Sequence, residues 1–553
     1  MQHLLALVAL FILSTKAQAH ASPVVELDNG TFTGLSTQNG TSAFLGIPYA
    51  LTPIGDLRMR PPAPNGPYLG SYNATAFGAP CIFQNITNVS PESIAPSATS
   101  AWNTYVGFYD PILQSIEGSE DCLTVNVWAP ENATTNSKLP VLFFLYGGGF
   151  EVGFSIAYDG NVIAARSIEL GEPVVAVSIN YRVSALGFPA GKEAREAGVG
   201  NLGLRDQRLG LRWVQQYIGA FGGDPTKVML WGGSAGAIST GLQMLTNGGD
   251  TEGLFRTAFM SSGGALPTGT VENVQDRWDN FVTIAGCGSF LGGSSVFDCL
   301  RNASLEAILA GQDASGSVFG YYGTDVAWLP SADGDFLLAP PQELVRSGSV
   351  ADIPFVTGDC DDEGTLFSLG NSNISTSEEL ETYFSDLIFP TASKSDIDEL
   401  LAAYPDDPAL GSPFDTGLNN TITPEFKRIS AIMGDVVFQA PRRLLLQQRA
   451  GKQPAYSYLW KGGKETPVIG AQHTNDMTSI YAGGEILDYL IHFAVTLDPG
   501  SGGGGLLEWP LYTLESKELM TFLDGEVPLA ITKDDYREEA MEVVLRFNAK
   551  NPL

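Results

Sequence analysis

Histidine and cysteine are scarce in this chain, with four and five copies in 553 residues, and basic residues are outnumbered 30 to 61 by acidic ones. Each shortage excludes something. A formal charge of -31 repels phosphate backbones and anionic membrane surfaces, so nucleic acid is excluded as a partner. Charged residues are only 16% of the chain and hydrophobic ones 44%, which allows a large core and excludes a disordered chain. No apolar run reaches the roughly 20 residues that cross a bilayer, so no transmembrane anchor is expected. No internal repeat is visible either.

Residues 1–19, MQHLLALVALFILSTKAQA, join a short apolar core (Leu4 to Leu13) to Ala17-Gln18-Ala19, the small-x-small pattern cut by signal peptidase. A secreted, extracellular chain starting near His20 is expected. In an oxidising compartment cysteines pair, and nearness joins Cys81 to Cys122 and Cys287 to Cys299, leaving Cys360 as a small buried thiol. Asn-x-Ser/Thr sequons at Asn29, Asn39, Asn73, Asn85, Asn88, Asn132, Asn302, Asn373 and Asn419 permit N-glycosylation of surface loops.

Short β-type runs alternate with helical patterns: LPVLFFLY before Gly147, EPVVAVSIN before Tyr181, KVMLWG before Ser234, IPFVTG before Asp359 and AYSYLW before Lys461. Most are apolar throughout rather than alternately, as strands covered on both faces must be. Leu204, Leu211, Val214 and Ile218 share one face of a helix between two such runs. The fold class is α/β, with crossover helices on a mostly parallel sheet. The Gly-rich stretch 498–510, DPGSGGGGLLEWP, reads as a flexible loop. Because the candidate chemistry spans residues 147 to 473, one catalytic domain over 20–553 is expected.

In VMLWGGSAGAIST, residues 228–240, Ser234 lies in a Gly-x-Ser-x-Gly pattern, whose small residues let a tight strand-to-helix turn present a hydroxyl. A nucleophilic serine needs a base, and elimination is short. His3 leaves with the leader, His20 is the new terminus, and His492 sits in the apolar pattern ILDYLIHFAV, where a packed histidine is the plainer reading. His473, in the polar loop VIGAQHTNDMTSI, remains. The imidazole needs a carboxylate partner, and VTGDCDDEGTLF supplies Asp359, Asp361, Asp362 and Glu363. As a calcium loop that stretch fails, since Gly370 occupies the bidentate position. The order serine, acid, histidine is that of α/β-hydrolases, but order does not choose among the four carboxylates. Gly147-Gly148-Gly149, ending an apolar run, lets backbone N–H groups approach an oxyanion, and Ala235 N–H adds another donor. A dinucleotide loop is excluded because Val152 breaks the glycine pattern.

Several ordered motifs, namely FLGIPYA (44), EDCLTVNVWAP (120), YGGGFEVG (146), INYRVSALGF (179), GNLGLRDQRLGLRWV (200), FGGDPTKVMLWGGSAG (221) and DEGTLF (362), resemble the type-B carboxylesterase family. That family includes cholinesterases and a branch of secreted fungal lipases and sterol esterases, and GGGFEVG is most similar to the lipase branch. The resemblance runs from about residue 25 to the C-terminus. It implies an α/β-hydrolase fold, Ser234 as nucleophile, Glu363 as acid, His473 as base, and Gly148, Gly149 and Ala235 as oxyanion donors, with no metal or organic cofactor. It also implies the disulfides Cys81–Cys122 and Cys287–Cys299, the first closing a lid loop over 82–121. One position departs: Gly233 stands where the family has Glu before the nucleophile. A choline ester is disfavoured, because Trp102 does not align clearly with the family's cation-binding tryptophan.

Within the lid, Asp110-Pro111 reads as an N-cap and first helical residue, with Phe108, Tyr109, Ile112, Leu113 and Ile116 at helical spacing. The expected activity is hydrolysis of hydrophobic, long-chain acyl esters at a lipid–water interface, through a Ser-His-Glu triad. The alternatives are a soluble carboxylesterase for short-chain or aromatic esters and a catalytically silent adhesion or recognition module. An exposed apolar lid would also favour a homodimer.

Overall fold

The computed structural model describes residues 22–553 apart from 38, 88, 108 and 502–504. The leader 1–19, His20, the sequon at Asn88, Phe108 and the centre of the Gly-rich stretch therefore lie outside the described residues.

The strands are β1 (Val24–Leu27), β2 (Asn29–Thr33), β3 (Leu35–Ser36), β4 (Thr41–Pro48), β5 (Leu69–Asn73), β6 (Thr124–Pro130), β7 (Leu139–Leu145), β8 (Val175–Ile179), β9 (Gly223–Gly233), β10 (Thr257–Ser261), β11 (Phe355–Cys360), β12 (Ala455–Trp460), β13 (Glu518–Phe522) and β14 (Leu529–Lys533). β1, β2 and β5 make a small separate sheet. The other eleven form one large sheet in the order β14-β13-β12-β11-β10-β9-β7-β8-β6-β4-β3. From β13 to β8 every pairing is parallel, and antiparallel strands close both edges. All five apolar runs of the sequence become strands in this parallel centre.

Every residue of β8, β10 and β11 is buried although neighbours point to opposite faces, so both faces of the sheet are covered. Helix Leu202–Tyr217 contributes Leu204, Leu211 and Val214, all fully buried, and Ile218 joins them from the turn that follows. Strands β3, β4 and β6 to β9 occupy one side of the sheet and β10 to β14 the other, so the first half of the chain meets the second along the β9–β10 seam.

Segment 82–121 holds two short helices, Thr99–Tyr105 and Tyr109–Gln114. The second starts at Tyr109, two residues before the Pro111 start that the Asp110-Pro111 reading gives. Asp110 therefore lies inside the helix, its carboxylate accepting from Thr87 and Gln114 rather than capping the backbone. Ala101, Trp102 and Val106 pack with Leu366, Leu369, Phe426 and Ile469 in an apolar cluster separate from the main core. The Cys81–Cys122 disulfide closes this segment and Cys287–Cys299 a shorter one, while Cys360 is free and buried. The 498–510 stretch is anchored near its end, where Trp509 is buried against Tyr458, Tyr489 and Phe522. Asn29, Asn39, Asn73, Asn132, Asn302, Asn373 and Asn419 are exposed, and Asn85 is half-buried. Among the described residues no helix is long and apolar enough to cross a membrane.

Candidate active site

Ser234 sits where β9 ends and helix Ala235–Gln243 begins, at φ 56° and ψ −127°, a region that L-residues avoid. Glycines make that turn possible. A Cβ on Gly232 would lie 2.5 Å from the Gly236 carbonyl carbon, and one on Gly236 would lie 2.0 Å from the Leu145 carbonyl oxygen. The turn is fastened by the Ser234 N–H, which donates to the Ser261 carbonyl across the β9–β10 seam at 2.9 Å.

The hydroxyl meets its partner from the other half of the chain. Ser234 Oγ is 2.8 Å from His473 Nε2, and His473 Nδ1 pairs with Glu363 Oε2. Oε1 of Glu363 accepts the Cys360 N–H at 2.6 Å. The three rival carboxylates are engaged elsewhere. Asp359 faces Arg442 at 3.1 Å, Asp361 takes Lys464 at 2.5 Å, and Asp362 binds Lys464, Ser412 and two backbone N–H groups. His492 is also away from the site, bound to Glu172 at 2.7 Å.

Burial governs the charges here. Desolvation lowers the His473 imidazole to about 3 and raises the Glu363 carboxyl to about 8, the Ser262 hydroxyl and Cys360 N–H opposing the second shift. The two groups titrate as one pair. A neutral imidazole keeps the Nε2 lone pair free for the serine proton, which is the state a general base requires.

β7 delivers Gly147, Gly148 and Gly149 beside the serine: a Cβ on Gly147 would lie 2.7 Å from that of Ser234. Gly148 and Gly149 have φ of 121° and 63°, and Val152 and Val318 crowd the places their side chains would take. Among the described residues, the N–H groups of Gly148, Gly149 and Ala235 have no backbone carbonyl acceptor. At Gly233 a Cβ would come 2.7 Å from Met477 Cγ, so the thioether fills the space beside the residue before the serine.

Phe438 and Phe367 flank the imidazole at 4.6 and 5.0 Å between ring centres. Phe319 stacks on Phe367 and Tyr109 on Phe319, extending an aromatic row from His473 to the second helix of 82–121. Sequence reasoning missed this row, and it missed Ser262 and Asp476 beside the pair. Asp476 stands three residues after His473, a spacing that offered a signal; burial raises its carboxyl to about 6. Ser262 offered none. Among the described residues no group of three or more histidine, cysteine or acidic side chains is arranged to hold a metal ion.

Comparison with known proteins adds to this geometry. The Carboxylesterase family model matches residues 21–543. Lipase 4 of Diutina rugosa is 38% identical over 540 residues, 95% of this chain and 96% of its own length. The secreted triacylglycerol lipase LIP1 of Gibberella zeae is 36% identical over 551 residues, covering 95% and 92%. The crystal structure of Aspergillus niger EstA superposes with a TM-score of 0.78 at 27% identity, over 96% of this chain and 98% of that one. With sequence and fold matched nearly end to end, the chain belongs to the carboxylesterase family, carboxylic-ester hydrolases built on the α/β-hydrolase sheet.

Proposed function

We propose that this chain is a secreted serine hydrolase of hydrophobic, long-chain acyl esters. The observation that carries the reading is the 2.8 Å contact between Ser234 Oγ and His473 Nε2 at a strained turn. His473 takes the serine proton as Oγ attacks the ester carbonyl, while Glu363 keeps Nδ1 protonated and stabilises the imidazolium. The N–H groups of Gly148, Gly149 and Ala235 receive the oxyanion, where losing one donor raises the barrier by about 3 kcal/mol. The alcohol leaves with the proton from His473, and water, activated by the same imidazole, releases the acid from the acyl-enzyme.

The long-chain preference is supported by the aromatic row beside His473 and by relatives named as lipases. Segment 82–121 acts as a lid, and its exposed Ile112 belongs to a face that meets lipid or a second copy of the chain. Residues 20–553 form the catalytic unit once the leader is removed, and the exposed sequons carry glycans.

The test is the initial rate on p-nitrophenyl esters from C2 to C18, below and above the concentration at which substrate forms an interface, with Ser234→Ala alongside. The expected result is a rate rising with chain length and at the interface, and a loss of at least about a thousandfold in Ser234→Ala. A short-chain preference without the jump would make this a soluble carboxylesterase. Less than tenfold loss in Ser234→Ala would overturn the assignment.

A further inference from the structure

Two residues beyond the glycine loop, Glu151 is completely buried, and among the described residues its Oε1 has no hydrogen-bond partner. A polar atom so placed costs stability, and its presence there calls for an explanation. Oε2 accepts the Val318 N–H at 2.8 Å. The Val318 side chain in turn packs against Gly149, 3.1 Å from where a Cβ would stand. The backbone of Glu151 is tied as firmly. Its N–H donates to the Gly148 carbonyl at 3.1 Å, and its carbonyl accepts the Gln84 N–H at 2.9 Å and the Ser184 hydroxyl at 2.8 Å. Gln84 lies three residues after the Cys81 bridgehead, and its side chain donates to the Gly316 carbonyl and accepts from Trp328. The glycine loop, the root of segment 82–121 and the 316–319 strap therefore converge on one residue.

We infer that Glu151 is a positioning residue for the oxyanion donors: its carboxyl group, bound to the Val318 N–H, holds Val318 against Gly149 and fixes the backbone of Gly148 and Gly149. The inference rests on the ester-hydrolase reading above. Arg277 is the charged group facing this carboxyl, and it is already paired with Asp325. Burial pushes the Glu151 carboxyl up to about 8, so near pH 7 it is a neutral acid. A glutamine there keeps both the shape and the acceptor. Ionisation at higher pH puts a negative charge beside the loop that must receive an oxyanion, which opposes catalysis.

Glu151→Gln and Glu151→Ala should be compared with wild type for kcat, KM and affinity for an aryl trifluoromethyl ketone, which accepts Ser234 and places an oxyanion where the tetrahedral intermediate would have one. Active sites are counted by phosphonate labelling, which separates misfolding from mispositioning. The expected result for Glu151→Ala is a loss of about 100-fold in kcat per labelled site, with KM within about threefold and ketone affinity falling in parallel. Glu151→Gln should stay within about threefold on both measures and should lack the decline in kcat that ionisation of Glu151 is expected to cause in wild type above about pH 8. Full kcat per labelled site in Glu151→Ala, or equal damage in both variants, would overturn the inference. Absence of Ser234-dependent turnover in wild type would instead overturn the parent reading.

Discussion

At the scale of single residues, the proposed site combines an imidazole held neutral with a carboxyl group held inside the protein. The competent form has Glu363 ionised and the imidazole neutral, so kcat/KM should rise with pH as the pair loses its shared proton. Replacing Glu363 by Gln removes the charge that stabilises the imidazolium. The ascending limb should therefore move to lower pH while kcat falls by roughly 10⁴-fold, and a pH profile of both proteins checks the sign. A limb displaced upward would contradict the pairing. Gly233 gives a second test, because Met477 occupies the space its side chain would need. Gly233→Ala should lose about 1–3 kcal/mol to overpacking, and Met477→Ala should lose stability to a cavity. The double variant should lose less than the sum by at least about 1 kcal/mol, read from urea unfolding. The sequence alone singled out Ser234 by its glycine pattern and His473 by elimination among four histidines, and folding brings these two side chains into contact. Glu363 was not separable from its three neighbours by spacing. What separates them is that Arg442 and Lys464, distant in sequence, claim the others on folding.

At the scale of elements, the continuous apolar runs of β7, β8, β9, β11 and β12 were readable because burial on both faces leaves no alternation to confuse. β10 was not. Thr257 and Ser261 cut its apolar run to the three residues Ala258, Phe259 and Met260, yet it lies beside the strand that ends at Ser234, and its Ser261 carbonyl accepts the Ser234 N–H. The helix Tyr109–Gln114 was anticipated from its spacing, but its start was misjudged, since Thr87 and Gln114 are better partners for Asp110 than the helix backbone. The disulfides differ in the loops they close. Cys81–Cys122 spans 41 residues and Cys287–Cys299 spans 12, so removal should cost about 4 and about 3 kcal/mol respectively in the chain-entropy description. Double Cys→Ser variants of each pair, compared by urea unfolding, check the order.

At the scale of the whole molecule, the two halves of the chain keep to separate sides of the sheet. Gly148, Gly149, Ser234 and Ala235 belong to the first half, Glu363 and His473 to the second. Neither half holds all three residues of the proposed triad. The connection between β9 and β10 passes through 247–253, where Asn247, Gly248, Asp250, Glu252 and Gly253 are exposed. A chain opened there yields two pieces, each with a contiguous block of strands and one bare edge at the seam. Produced separately they should hydrolyse nothing, whereas produced together they should recover Ser234-dependent turnover by pairing β9 with β10. Ester hydrolysis is thus expected to report the reassembly of the two pieces along the seam, a signal that neither piece can give alone.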